Sequence, residues 1–376
     1  MLRDLRLTGF KSFENLHLPL GALTVLSGTN GGGKSSVIQA LVLMSQTVDE
    51  QEWGTALLLN GPDLSLGAAV DALNQASTRN QLAIGASAEK EEILWTFEAE
   101  DRKALSLNLQ SVVWNEQKLA LNGPIRWLLP ASRAESSSIV RAFRQLSWIS
   151  AERSGPRELL PLLDKHNHAR VGARGELAAG LLYWRQTQQV AEPLRMNDEP
   201  PTLFHQVRAW MRYFFPGCDL RILPIEGASY ITLRLRSDSR AEFQRPQNVG
   251  FGLTQLFPVL VAILSASPGD ILLLENPEVH LHPRAQQEIG FLIARLAASG
   301  VQVLVETHSD HVLNGIRLAV KNEQIGPSSL AVHFFTRSPS DGKTTIISPG
   351  VDADGRLDAW PEGFFDQFDR ALAALL

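Results

Sequence analysis

Residues Gly28-Thr29-Asn30-Gly31-Gly32-Gly33-Lys34-Ser35-Ser36 fit the spacing G-x-x-x-x-G-K-[ST]. These residue types in this order suit the wrapping of a phosphate chain. Several negative charges in a row call for a concave array of donors. Glycines let successive backbone N–H groups converge at φ/ψ values that other residues avoid. A helix that starts here adds its positive end. The expected nucleotide contacts are Asn30, Gly31, Gly32, Gly33, Lys34, Ser35 and Ser36. In this arrangement Lys34 reaches the β- and γ-phosphates and the Ser35 hydroxyl holds Mg²⁺.

Such a loop needs a strand before it and a helix after it. Ala22 to Leu26 is a short apolar, β-branched run that reads as a buried strand. Ser36 to Met44 is apolar nearly all round and reads as a buried helix.

The cation also requires a carboxylate at the end of a neighbouring strand. Ile271-Leu272-Leu273-Leu274 followed by Glu275 provides one, at the strand end where ligands bind in α/β sheets. Glu275 is therefore a second expected Mg²⁺ ligand and a candidate catalytic residue. After the next apolar run comes Glu306-Thr307-His308-Ser309. His308 either meets the γ-phosphate, caps a helix or sits in the core. His280, His282, His308 and His311 match no common zinc spacing. Gly250-Phe251-Gly252 opens another apolar helix, whose N-terminus is a second expected anion site at Gly250 and Gly252.

The whole chain has 376 residues, 44 % hydrophobic and 20 % charged, with a net charge of −5. These values fit a folded soluble protein and give no overall polyanion-binding surface. One cysteine, Cys218, excludes an intrachain disulfide and suits the reducing cytoplasm. No apolar run is long enough to span a membrane. Between Arg126 and Arg185 ten basic residues face five acidic ones. That excess either faces nucleic acid or forms a solvated helical surface.

Along the chain, strands are expected at Leu5–Leu7, Leu16–Leu20 and Leu23–Leu26. A β-meander is expected over residues 82 to 109. Further strands are expected at 146–150, 230–235, 271–274, 301–305 and 330–335, with helices over 176–215 and 284–298. Three divisions follow. Residues 1–125 form the N-terminal part of a nucleotide-binding lobe, with the phosphate loop and the meander. Residues 126–245 form a mostly helical, arginine-rich insertion. Residues 246–376 carry the glycine-started helix, the acid-ending strand, the histidine and a C-terminal segment that packs with 1–125.

Taken together these elements resemble the ATP-binding-cassette ATPase heads of the RecF, structural-maintenance-of-chromosomes and OLD group. The likeness is carried by Leu7-Thr8-Gly9-Phe10-Lys11-Ser12-Phe13 before the loop, by Glu275-Asn276-Pro277-Glu278-Val279-His280-Leu281-His282-Pro283, and by Glu306-Thr307-His308-Ser309. Ile149 to Arg157 and the ending Trp360 to Asp366 also resemble a compact family of bacterial AAA-type ATPases, often found in phage-defence or genome-maintenance gene clusters. The resemblance implies an α/β fold: a P-loop NTPase with a mixed central sheet, an antiparallel β layer and a helical insertion. It implies ATP and Mg²⁺ as cofactors and a homodimer sandwiching two ATP molecules, with Gly250-Phe251-Gly252 as the signature element of the opposite copy. It also implies an effector or partner protein, with DNA as a further partner and no membrane. An added nuclease domain is not expected.

Two departures matter. Gly250 replaces the group's signature serine and removes a hydroxyl donor. Asn276 stands where the water-activating carboxylate is expected, and an amide orients water but does not take its proton as a carboxylate does. Glu278 is then the candidate for the missing acid. Slow ATP hydrolysis in a switch and an ATP-gated scaffold with negligible hydrolysis are the two functions left open. Arg153 and Arg157 are expected to meet phosphate or to pair with Glu152 or Glu158.

Overall fold

A computed structural model describes residues 1–165, 170–338, 342–361, 372 and 375. The sequence mark at Trp360 to Asp366 therefore lies, from residue 362 onward, outside the described residues. The chain divides into two compact units. One comprises residues 1–146, 327–352 and 356–376, and the other comprises 147–326 and 353–355.

The first unit opens with a hairpin, β1 (Asp4–Phe10) and β2 (Phe13–Pro19), whose two-residue turn places Lys11 at a φ of 46°. β3 (Leu23–Gly28) leads through the glycine loop into α1 (Lys34–Glu50). Twelve of the 17 residues of α1 are buried, which follows from its lack of a polar face. Its buried polar groups are satisfied. The Gln46 amide donates to Leu58 O (2.8 Å) and Leu64 O (3.1 Å), and Thr47 Oγ1 accepts from Leu58 N (2.9 Å).

β4 (Ala56–Leu58), β5 (Gln81–Ser87), β6 (Glu92–Glu98) and β7 (Ser106–Trp114) follow. With β1 and β2 they form an antiparallel sheet in the order β2-β1-β5-β6-β7-β4. The alternation in β6, with Ile93, Trp95 and Phe97 fully buried, is the period-2 signature that marks the meander in the sequence.

β8 (Leu146–Ile149) spans the division between the units. In the second unit β9 (Leu159–Pro161), β10 (Asp219–Pro224) and β11 (Tyr230–Arg236) form a small antiparallel sheet with β11 in the centre. Helices α2 (Ala178–Trp184) and α3 (Leu203–Phe214) lie between β9 and β10 in the chain. Next comes α4 (Phe251–Ser265), buried at every position from Leu253 onward. β12 (Ile271–Glu275), α5 (Pro283–Ala298) and β13 (Gln302–Glu306) form a strand–helix–strand unit with parallel strands. Both strands are buried at all five positions, as parallel strands are when both faces are covered. α6 (Asp310–Lys321) packs on α5, with Ser309 accepting from Val312 N (3.2 Å) as its N-cap. The chain then returns to the first unit with β14 (Leu330–Arg337), parallel to β3, and β15 (Thr344–Ile347), antiparallel to β14.

The arginine-rich run falls into both units. In the first, Arg126 pairs with Glu52 and Glu135 and lies over Trp127 (4.0 Å), with Arg144 over the same ring (4.2 Å). These arginines cover aromatic surface. In the second unit Asp219 gathers Arg208 (2.6 and 2.7 Å), Arg236 (3.2 Å) and Arg212 (3.5 Å). Burial alone would raise the Asp219 carboxyl. The Arg208 hydrogen bonds and the surrounding guanidinium charges override it and hold the carboxyl down at about 2.

A depressed carboxyl stabilises the fold above its ordinary value of 3.8, and that contribution is lost as pH falls toward 2. Asp219→Asn should therefore lower stability at neutral pH by about 3 kcal/mol. It should also flatten the loss of stability between about pH 4 and pH 2, as measured by urea unfolding across that window.

Candidate nucleotide site

The glycine loop lies wholly in the first unit. Gly28 ends β3 at a φ of 129°, in register with Phe335 of β14. A methyl group at Gly28 would fall 2.0 Å from Phe335 O, so the close parallel pairing at this point excludes a side chain. Thr29 N donates to the same carbonyl (2.9 Å). Gly33, at a φ of 104°, is backed by the turn after β1, and a methyl there would lie 2.8 Å from both Phe13 and Ser12 Oγ. Phe13 in turn meets Phe335 edge-on at 6.5 Å. The Phe10-Lys11-Ser12-Phe13 passage thus forms the backing of the loop.

α1 begins at Lys34 without a side-chain cap. Lys34 is 3 % exposed, and its Nζ donates to Gly28 O (3.0 Å) and Thr29 O (2.9 Å). The ammonium therefore lies across the loop it belongs to. Asn30, Gly31 and Ser35 are exposed, Ser36 is half-buried, Gly32 is buried, and a methyl at Gly31 would meet nothing within 4 Å. Beside Gly33, Ser12 Oγ is a buried hydroxyl with no hydrogen-bond partner. A helix start without a side-chain cap, an ammonium held at the loop and an orphaned hydroxyl behind it fit a bound phosphate chain.

The acidic elements lie in the second unit. β12 and β13 pair in register, so that Glu275 stands opposite Glu306, both buried at the strand ends. The Glu275 carboxylate accepts from Trp148 Nε1 (3.3 Å) and Ala151 N (3.1 Å). Glu278 Oε1 accepts from Thr307 Oγ1 (2.8 Å) and His308 N (3.0 Å), whereas its Oε2 is buried without a partner. Desolvation raises both carboxyls above the ordinary glutamate value, against these hydrogen bonds and the charge of Arg153.

Arg153 is itself buried. Its Nη2 donates to Glu275 O (2.8 Å) and Asn276 O (2.9 Å), and desolvation pushes the guanidinium down to about 10. Neither expected partner, Glu152 or Glu158, binds it. Glu152 faces Arg174 (3.4 Å), and Glu158 faces Arg234 (2.7 Å) and Arg245 (3.2 Å). Arg157 Nε donates instead to Ser154 O (3.3 Å).

Asn276 has a φ of 46°, and its N–H donates to Glu306 O (2.8 Å). This left-handed conformation favours asparagine over most residues. Gly250 is the exposed N-cap of α4, and a methyl at Gly252 would lie 2.9 Å from His280 O. Phe251 meets the His280 ring edge-on at 4.7 Å. The glycine-started helix therefore abuts the loop that follows Glu275. The His308 side chain is exposed. Trp148, Thr307 and the backbone role of Arg153 were not legible in the sequence. Thr307 carried a faint signal, as a hydroxyl directly after an apolar run. Trp148 carried none, and Arg153 was singled out for phosphate or a neighbouring glutamate and not for the carbonyls it holds, since both have partners more than 120 positions away.

This architecture defines a P-loop ATPase of ATP-binding-cassette type. The chain belongs to the family described as AAA domain, putative AbiEii toxin, Type IV TA system, whose model matches residues 23–314. Residues 325–375 match a second model, described as Protein of unknown function (DUF3696). No curated protein matches the chain. Among solved structures it is similar to an Smc head bound to the C-winged helix domain of ScpA, at 13 % identity over 93 % of this chain and 98 % of that one, with a TM-score of 0.56. It is also similar to an Smc head with an extended coiled coil bound to the C-terminal domain of ScpA, from Pyrococcus furiosus. There the identity is 12 % over 100 % of this chain and 98 % of that one, with a TM-score of 0.53. At these identities the likeness is one of fold.

Removing the Thr307 hydroxyl leaves one more buried carboxylate oxygen without a side-chain donor. Thr307→Val should therefore destabilise the protein by about 1–3 kcal/mol in urea unfolding at neutral pH.

Proposed function

We propose that this chain is a slow ATP-hydrolysing switch that pairs with a second copy around two ATP molecules and signals to a partner protein in DNA maintenance or phage defence. The observation that carries this reading is the loop at residues 28–36, with Lys34 Nζ held on its carbonyls at 2.9 and 3.0 Å. Asn30 to Gly33 offer backbone donors to the phosphates, Lys34 a charge, and Ser36 a backbone donor in the first turn of α1. Ser35 and Glu275 are the residues to hold Mg²⁺, which when bound offsets the charge of the phosphates. Glu278 takes the proton of the attacking water, and Asn276 and His308 orient that water and the γ-phosphate. Gly250 and Gly252 of the opposite copy meet the same phosphate, which makes the pair isologous.

The partner is proposed on two grounds. The similar Smc heads were solved with a domain of ScpA bound, and the family's description names a putative AbiEii toxin of a Type IV TA system. DNA is a further proposed partner, and no helix among the described residues is long and apolar enough to cross a membrane. A scaffold with negligible hydrolysis is the second reading. Asn276 favours it, being an amide held by backbone conformation at the place of the expected base.

Lys34→Ala should weaken ATP binding roughly 10- to 100-fold in equilibrium dialysis, the loss of one charge-assisted contact. Unchanged affinity would remove the nucleotide reading. With the parent protein, ATP but not ADP should double the mass in light scattering. Phosphate release should run below roughly 1 s⁻¹. Turnover of tens per second would overturn the slow switch, and doubling without any release would select the scaffold. Asn276→Asp keeps a residue that tolerates the left-handed backbone and restores a carboxylate. It should raise turnover by roughly tenfold or more.

A further inference from the structure

The loop after β12 and the segment that carries His308 are joined a second time, away from the Glu278 carboxylate. α5 and α6 approach closely along their length. A methyl group at Gly290 of α5 would fall 2.2 Å from Val312 O, and one at Gly315 of α6 would fall 2.0 Å from Gln287 O. Such an approach of two backbones leaves room for glycine alone. It brings the first turn of α5 to the N-cap of α6, where the Ser309 hydroxyl donates to Gln286 Oε1 (2.6 Å).

Gln286 uses both ends of its amide. Its Nε2 donates to Leu281 O (2.9 Å), in the turn between Glu278 and α5. Leu281 N closes that turn on Glu278 O (3.0 Å). The Glu278 carboxylate holds Thr307 Oγ1 (2.8 Å) and His308 N (3.0 Å), and Ser309 N donates to Thr307 Oγ1 (3.1 Å). The bonds thus form a ring through Glu278, Thr307, Ser309, Gln286 and Leu281. Thr307 and Ser309 are buried, whereas the side chain of His308 between them is exposed.

The link to Gln286 is more than a helix cap. A serine hydroxyl has one hydrogen to give. Capping α6 draws only on its lone pairs, through Val312 N (3.2 Å), so α6 is capped whether or not Gln286 is there. What the link adds is a second anchor for the backbone beside His308.

We propose that Gln286 is a positioning residue, which sets where His308 stands relative to Glu278 by holding Ser309 on one side of the histidine while Glu278 holds Thr307 on the other. This inference rests on the hydrolytic reading of the site. A side chain that orients a reacting phosphate tolerates little displacement, and an error of about 1 Å costs on the order of 100-fold in rate.

Gln286→Leu removes both amide contacts and keeps most of the side chain's bulk. In the full-length protein, kcat for phosphate release should fall roughly tenfold or more, while ATP affinity by equilibrium dialysis stays within about twofold of the parent. A merely structural role would lower the melting temperature and leave kcat per folded molecule unchanged, with circular dichroism giving the folded fraction at the assay temperature. Ser309→Ala tests the same bond from its other end, including the case in which Gln286→Leu does not fold, and should lower kcat to a similar degree. With both changes together the loss should be no more than about twofold beyond either alone, because they act through one contact. Parent kcat in either single variant, or losses that multiply in the double variant, would overturn the positioning role. Failure of the hydrolytic reading looks different: the parent would release no more phosphate than Lys34→Ala, and the positioning role would fall with it.

Discussion

Negative charge buried at the ends of two parallel strands sets the terms for the second unit. In-register pairing of β12 and β13 brings Glu275 and Glu306 level at one sheet edge, and the turn after β12 adds Glu278. Carboxylates out of water require donors, and each donor recruited fixes a further segment. Trp148 and Ala151 N–H fix β8 and the segment after it against Glu275, Thr307 and His308 N–H fix the segment after β13 against Glu278, and Arg153 fixes the loop after β12. The compensation is incomplete. Glu278 Oε2 and two nitrogens of Arg153 remain without partners, and the Coulombic attraction between the two groups lowers the cost without a direct hydrogen bond.

The first unit solves the opposite problem. It prepares for negative charge that comes from outside. Its means is backbone geometry: Gly28 and Gly33 at φ values of 129° and 104°, each pressed against a neighbour that leaves no room for a side chain. Phe335 and Phe13 make those contacts, so the loop's shape depends on a strand more than 300 residues away in sequence as well as on the adjacent hairpin.

The contrast explains what was legible in the sequence. The phosphate loop is contiguous, and its glycines, lysine and serine carry their meaning in their order. Its flanking strand and helix are marked by apolar runs, as are the meander and the parallel strands. The acids at 275 and 278 were visible because they follow such a run. Their partners were not, since hydrogen bonds to Trp148 or Arg153 obey no spacing rule. The arginine-rich run left two readings open, because composition does not reveal that Arg126 and Arg144 sit over Trp127.

Asn276 shows how one backbone angle bears on chemistry. Its φ of 46° is tolerated by asparagine, aspartate and glycine far better than by glutamate. Two forces maintain the angle, the N–H bond to Glu306 O and the Arg153 bond to the residue's own carbonyl. A residue chosen to satisfy that conformation loses the reach of a glutamate and, as an amide, the capacity to accept a proton. The same loop places Glu278 two positions on, with one oxygen tied down and one left over. If proton transfer has moved from position 276 to 278, the idle oxygen is the atom that performs it. Its raised affinity for the proton, a consequence of burial, then makes it a stronger base than an exposed carboxylate, but one ionised over a narrower range of pH.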